Sequence, residues 1–415
     1  MALLAFTATT SLKAFTTDEL TYRQPSTTWM GSLPLGNGRI GAMVYGGTAV
    51  ETIALNEVTM WSGQPDPEVN NLCGKEHLKE IRDAFFHGDV AKGNDLGTKY
   101  LSGHDRSFGT HLPMGDLLVK FRGHDEAPTG YLRRLALDRA LADITYHIGT
   151  TRYSHQYFCS NPAQVFVARY TASTRHGLSA TLSMRMLRHS TVTASDHQLE
   201  ITGDARFDKF GEGGVKFLSI VRVVNDGGTV TASGDSLIVE GANALTVVVD
   251  IRTNYQNPDY EALCRSTVDK AAAQPYEEEK LAHIRDFSRL YHRMNLYLGP
   301  TTTGLTTDEM FQRAKKGETL PAFDALFFKY GRYMLISSSR ANSPLPANLQ
   351  GIWNDNLACN MPWTCDYHLD INIQQNYWSA NIANMAECNT PLFRYLDMLA
   401  KYGHETARKV YGCDG

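Results

Sequence analysis

A chain of 415 residues with 42% hydrophobic and 20% charged residues is long enough for two or three domains with cores of their own. Its net charge of −4 leaves no nucleic-acid footprint and points to an uncharged partner, and no apolar run is long enough to span a bilayer. Seven cysteines scattered over this length do not make a disulfide framework.

Residues 1–20 form a tail of little information. The patch from Met1 to Phe15 is apolar, but no basic residue precedes it, so it makes a poor signal peptide and a cytoplasmic location is expected. From Thr21 to about Asp250 the signals are mostly strands, at 40–45, 117–121, 142–148, 164–170, 178–187, 217–224, 237–240 and 245–251. These segments are short, rich in Val, Ile, Thr and Tyr, and bounded by Gly, Asn and Asp. A helical insertion interrupts once, at 76–86. Antiparallel strands in this number without intervening helices predict a large β-sandwich over residues 21–275.

Composition changes after Pro258. Leu281, Ile284, Phe287, Leu290, Tyr291 and Met294 recur at helical spacing behind an acidic first turn, which predicts a linker helix within residues 276–320. A second helix starts near Pro321 and carries Leu326, Phe327, Tyr330, Met334 and Leu335, too apolar for a lone surface helix. Further helices are expected at about 374–387 and from Thr390-Pro391, an N-cap followed by proline at the first helical position. No internal repeat stands out.

Between these helices, residues 345–387 hold three of the five tryptophans among asparagines and glutamines, with hardly any lysine or arginine. Aromatic faces pack on the apolar side of a sugar ring, and amides and carboxylates bind its hydroxyls. The same residue types also satisfy buried turns. From His368 to Ile373 polar and apolar residues alternate, so an extended backbone would place His368, Asp370 and Asn372 on one face. Helix would begin only near Gln374. Cys359 and Cys365 flank Trp363 without a second Cys/His pair, so no metal site is expected. Gly36, Gly38 and Gly41 lack the strand and helix context of a phosphate loop and read as turn residues.

The blocks Leu33-Pro-Leu-Gly-Asn-Gly-Arg-Ile-Gly-Ala-Met-Val-Tyr-Gly-Gly47, Leu55-Asn-Glu-Val-Thr-Met-Trp-Ser-Gly63, Met114-Gly-Asp116, residues 328–340 and Leu345-Pro-Ala-Asn-Leu-Gln-Gly-Ile-Trp-Asn354 occur in one order. Together they make the chain resemble glycoside hydrolase family 95, the inverting α-L-fucosidases and α-L-galactosidases, from about Thr21 onward. The resemblance implies an α+β multidomain fold: an N-terminal antiparallel β-supersandwich, a helical linker and an (α/α)₆ barrel, of which residues 321–415 supply an incomplete start. It implies an exo-acting glycosidase for fucosylated oligosaccharides or glycans, without cofactor, metal, nucleic acid or membrane as partner. Alternatives are an α-L-galactosidase, a non-catalytic carbohydrate-binding remnant, or a phosphorylase, against which the lack of basic residues around 345–390 counts.

The resemblance also assigns roles. The family's His-x-Asn-x-Asn segment, whose amides position the attacking water, falls on His368, Asp370 and Asn372, with His368 facing the C5 substituent of the sugar. Asp370 replaces the first amide, and two readings stand: a base toward the water, or an acceptor that holds His368. Asn372 and Asp370 are thus the catalytic candidates, and His368, Trp363, Trp353, Asn376, Glu57 and Trp61 the substrate-binding ones. The same residues at Glu57 and Trp61 would equally serve a packed inter-domain loop. The general-acid glutamate is expected beyond Gly415, which makes the chain a fragment expected to be inactive alone.

Overall fold

Alternation builds the first half of the chain. In Leu141–Ile148, Ala142, Ile144, Tyr146 and Ile148 are buried while Asp143, Thr145 and His147 are partly exposed, as a strand with one face on a core requires. In the computed structural model, which describes residues 15–64, 73–103, 108–207, 213–300, 302–356 and 363–415, such strands form two large antiparallel sheets. One runs, edge to edge, through 191–195, 198–204, 216–226, 244–253, 165–172, 151–160, 141–148, 129–136 and 19–22. The other runs through 229–233, 236–242, 178–185, 115–121, 50–57, 40–44 and 33–36. Leu35, Ile53, Leu117 and Leu182 of the second sheet face Ile144, Tyr157, Phe166 and Val247 of the first in one core. The architecture is α+β, two large antiparallel sheets followed by a helical region.

The insertion is a helical hairpin rather than one helix: α1 (Gly74–Phe86) is followed by α2 (Val90–Leu101), whose N-cap Asp89 accepts from Lys92 N at 3.1 Å. The glycine-bearing sequence of α2 hid it. A short repeat also emerges. The pentapeptide Thr-Val-Thr-Ala-Ser occurs at 191–195 and at 229–233, and each copy is the edge strand of one of the two sheets.

Helix α3 (Tyr260–Ala273) buries Cys264 and Val268 against Leu218 and Ile220, so it belongs to the packing of the first sheet. In α4 (Tyr276–Tyr291) the buried face is His283, Phe287, Leu290 and Tyr291, while Leu281 is exposed. After α5 (Thr307–Lys315), closed by a Thr306/Glu309 capping box, α6 (Pro321–Ser338) starts with its proline in the first turn and buries Leu326, Tyr333, Leu335 and Ile336. Phe327, expected in the core, is 70% exposed. The last helices are α7 (Asn372–Ile382) and α8 (Thr390–Thr406), and the N-cap of α8 is Asn389, one residue earlier than expected. No helix of the described residues is long and apolar enough to cross a membrane.

The hairpin 33–44 docks the helical region onto the sandwich, and its glycines do this by having no side chain. A Cβ on Gly36 would sit 2.4 Å from Ser337 O, and one on Gly41 would sit 2.7 Å from Ile352 O. Only glycine admits backbones this close. Around them Tyr333 Oη donates to Pro34 O at 2.6 Å and Trp353 Nε1 to Leu35 O at 2.9 Å. The core is accordingly continuous from the sheets through Phe287 and Tyr333 to Tyr377.

Candidate active site

Tyr377 organises the polar stretch. With Ile373 and Ala380 it forms the buried face of α7; its hydroxyl accepts from Ala347 N at 2.8 Å and shares a hydrogen bond with Ser339 Oγ at 2.8 Å. Asn376 reaches the same loop, donating from Nδ2 to Asn348 O at 2.9 Å. Residues 346–350 are laced in turn to 365–367: Leu349 N donates to Asp366 O at 3.0 Å, Tyr367 Oη to Pro346 O at 3.0 Å, and Cys365 Sγ to Asn348 Oδ1 at 3.4 Å.

The segment that enters α7 is a turn rather than a strand. Ile373 N donates to His368 O at 3.1 Å and Gln375 N to Ile371 O at 2.9 Å, so the helix begins at Asn372 and not near Gln374. Burial of Ile373 beside Tyr377 draws the helix start back and overrides the alternation, leaving Leu369 and Ile371 on the surface. The adjustment falls on Ile371, a β-branched residue at φ 137°, a conformation costing about 1–3 kcal/mol that clusters at functional sites. It separates Asp370 from Asn372. Asp370 is exposed and Asn372 half-buried, and among the described residues no hydrogen bond holds either side chain.

His368 is held by Asp366, not by Asp370. Its Nδ1 lies against Asp366 Oδ1, with the two side chains 33% and 28% exposed. The pair is close but off-axis, since neither atom has an aligned hydrogen-bond partner; the attraction is that of a charge pair when the ring is protonated. Two further buried atoms, Asn348 Nδ2 and Gln350 Oε1, have no hydrogen-bond partner among the described residues. One amide donor and one amide acceptor therefore stand unsatisfied beside the Asp366–His368 pair in two interlaced loops, group types that bind the hydroxyls of a polyhydroxylated ring.

The sandwich supplies the floor. His111 N donates to Cys365 O at 2.8 Å, and Asn354 Nδ2 donates to His111 O at 3.0 Å. Burial pushes His111 down to about 4, so the ring is neutral, donating from Nε2 to Glu57 O at 3.0 Å. Trp61 stacks on Tyr367 with centroids 5.1 Å apart and gives its indole N–H to Val58 O at 2.9 Å. Glu57 is 2% exposed; burial raises its pKa, while Arg39 at 3.6 Å and the Thr59 N–H at 2.7 Å work against that. Trp61 thus makes inter-domain packing, and Glu57 is held within the sandwich. Trp353, expected to bind substrate, is 3% exposed and offers no open face to a sugar, because Gly41 and Leu35 close over it. Trp363, in contrast, is 46% exposed. Cys359 lies outside the described residues, and among those described no three His, Cys, Asp or Glu side chains are placed to hold a metal ion.

A cavity of about 590 Å³ opens between Arg39, Glu57 and Thr253 of the sandwich and Tyr395 and Met398 of α8. It does not include His368, Asp370 or Asn372, and Glu57 and Arg39 are already partnered there. The sequence did not single out Asn348, Gln350, Asp366 or His111. For Asp366 a signal was present: the alternation that marks 368–372 extends back to it.

Residues 20–258 match the glycosyl hydrolase family 65 N-terminal domain, and residues 275–415 match the glycosyl hydrolase family 95 catalytic domain. Alpha-L-fucosidase 2 of Arabidopsis thaliana is 31% identical over 96% of this chain and 50% of its own length. Probable alpha-fucosidase A of Aspergillus oryzae is 30% identical over 92% of this chain and 55% of its own, and that of Aspergillus niger 28% identical over 92% and 50%. The chain spans about half the length of these relatives. Among solved structures, a putative kojibiose phosphorylase from the human microbiome superposes with a TM-score of 0.49 at 8% identity, over 81% of this chain and 44% of that one.

Proposed function

Because the chain belongs to glycoside hydrolase family 95, we propose that the protein carrying it is an exo-acting, inverting α-L-fucosidase that releases terminal L-fucose from oligosaccharides or glycans. The observation that carries this reading is the set of polar groups, unsatisfied or exposed in part, Asn348, Gln350, Asp366, His368, Asp370 and Asn372, on the interlaced loops that lead into α7. Relatives named as α-L-fucosidases support the substrate. We read residues 21–275 as the sandwich domain, 276–320 as the linker and 321–415 as the start of an (α/α)₆ barrel, a division supported by family matches that end at 258 and resume at 275.

In an inverting mechanism a carboxylic acid protonates the glycosidic oxygen while water attacks the opposite face of the anomeric carbon. In this reading the amide of Asn372 orients that water, and Asp370 stands beside it at the position of the family's first amide. His368, steadied by Asp366, lines the C5 substituent, so a methyl group is preferred over a hydroxymethyl that needs room and a hydrogen-bond partner. The test is hydrolysis of chromogenic α-L-fucoside and α-L-galactoside by the protein carrying this chain, with the anomer formed first read by proton NMR. Faster release of fucose as the β-anomer is expected. Retention of configuration, or equal kcat/KM on the galactoside, would overturn the mechanism or the specificity respectively.

A further inference from the structure

At the end of the sandwich a cavity of about 510 Å³ is lined by Arg188, His189, Arg206, Lys216 and one carboxylate, Asp204. In a chain of net charge −4 this concentration of cations is local. Among the described residues none of the three strong bases forms an ion pair. Arg188 is the least compensated: its Nη1 donates to Pro113 O at 2.5 Å and its guanidinium lies 5.1 Å from the centroid of Phe217, while Nε and Nη2 are buried without a hydrogen-bond partner. Burial pulls the Arg188 pKa down to about 10, with Asp204 opposing; the guanidinium remains charged at neutral pH. A buried, half-satisfied guanidinium beside exposed cations lacks one thing, an anion with several acceptor oxygens.

We propose that this cavity is an oxyanion site, which takes a sulfate ester, phosphate or carboxylate on the fork of Arg188 with Arg206 and Lys216 closing over it. The glycosidase reading is not needed for it. Two connections nevertheless lead from the cavity to the candidate active site. Arg188 is anchored on Pro113, two residues from His111, and Lys216 follows Val215, whose N–H donates to Trp61 O at 3.1 Å. An anionic substituent on a bound glycan and a free inorganic anion share this chemistry, and the experiment separates them.

Calorimetric titration of the full chain uses three probes: sodium sulfate, a sulfated fuco-oligosaccharide and its unsulfated counterpart. Sulfate-bearing probes are expected to bind, more weakly at high salt, and binding should fall at least about tenfold in the double variant Arg206→Gln/Lys216→Gln, whose two side chains are exposed. Arg188→Lys, which keeps the charge and loses the fork, should weaken the same probes while the melting temperature serves as the check on folding. Tighter binding of the sulfated oligosaccharide than of sulfate identifies an anion carried on a glycan; equal binding identifies a free anion. Binding of the unsulfated probe as tight as that of the sulfated one, or binding undiminished in the double variant, would overturn the proposal.

Discussion

The Arg39 network of the sandwich and the polar groups of the loops before α7 meet opposite fates. Arg39 is surrounded: Nε donates to Gln164 Oε1 at 2.8 Å, Nη2 pairs with Asp250 at 2.5 Å, and Glu57 stands at 3.6 Å, all at 5% exposure or less for the charged groups. Asn372, Asp370 and Gln350 lack such partners, and Ile371 between them is strained. Where every charge is answered from within, polarity fixes the fold; where charges and amides are left open, they are available to a ligand.

The largest effect is expected from Arg39→Met. It leaves Asp250 with Arg252 alone and Glu57 without its ion-pair partner, and removing one member of a buried charge network typically costs about 3–5 kcal/mol. Urea unfolding should show that loss. A variant as stable as the parent would mean that this network is not what fixes the sandwich, and the contrast between the regions would fail at its firmer end.

Asn372→Ala probes the other end. No hydrogen bond within the described chain is lost, so the melting temperature should stay put, whereas kcat/KM on an α-L-fucoside should drop about 10²-fold or more through the missing contact to the water. Asp370→Asn, which restores the family's usual amide, should retain most activity. Equal damage from both variants would make Asp370 the direct base. A fall in stability on Asn372→Ala would show that the loop, like the sandwich, uses its polar groups for folding.

How far the sequence revealed these two regions follows from the same contrast. Leu141–Ile148 and Ala244–Thr253 were legible because their apolar residues alternate or run on without interruption. Thr151–Ser160 was not, because its inward positions carry Tyr153, His155 and Tyr157, polar-tipped residues of which His155 meets the hydroxyls of Tyr157 and of Tyr146 on the neighbouring strand at 3.3 Å. In the loops the residue types announced a polar site, but the backbone did not follow the alternation, since Ile373 and Tyr377 pack inward and force a turn. Glu57 and Trp353 look like ligand-binding residues in sequence, and the first is claimed by the Arg39 network inside the sandwich, the second by packing between sandwich and helical region, which no local pattern records.

The sandwich side of the comparison has a pH signature. Burial lowers His111 and His283 to about 4 and His155 to about 3, and His155 is lowered further by His124. From their ordinary value of 6.5 downward, the unfolded chain binds protons at these three positions that the folded chain refuses, so stability falls with falling pH. Glu51 works the other way: burial raises it to about 7, against donors from Tyr157, Gly46, Gly47 and Thr52, so between 7 and 4.5 the folded chain holds a proton that the unfolded one has released. Between 6.5 and 4.5 these four groups leave the unfolded chain about two protons ahead, a slope of ~2.7 kcal/mol per pH unit. Urea midpoints across that window should show it. His155→Phe, which keeps the ring packing against Phe121, should reduce the slope by about one proton, ~1.4 kcal/mol per pH unit; an unchanged slope would mean that His155 does not carry the linkage.

The smallest expected effect is the finest test of the loops. Asp366→Asn keeps the shape and the acceptor for Thr364 Oγ1 but removes the carboxylate that faces His368 Nδ1. With that charge gone the imidazole is free to turn or to change tautomer, and the group lining the C5 substituent loses its fixed position. A positioning role predicts a loss in kcat/KM of about three- to tenfold, carried mostly by KM, with the discrimination between α-L-fucoside and α-L-galactoside narrowed. A merely structural role would lower the melting temperature and the amount of active protein while leaving KM and the substrate ratio where they were. The two outcomes share no readout, so this one substitution decides whether the charge facing His368 belongs with the self-satisfied polarity of the Arg39 network or with the open polarity of the site.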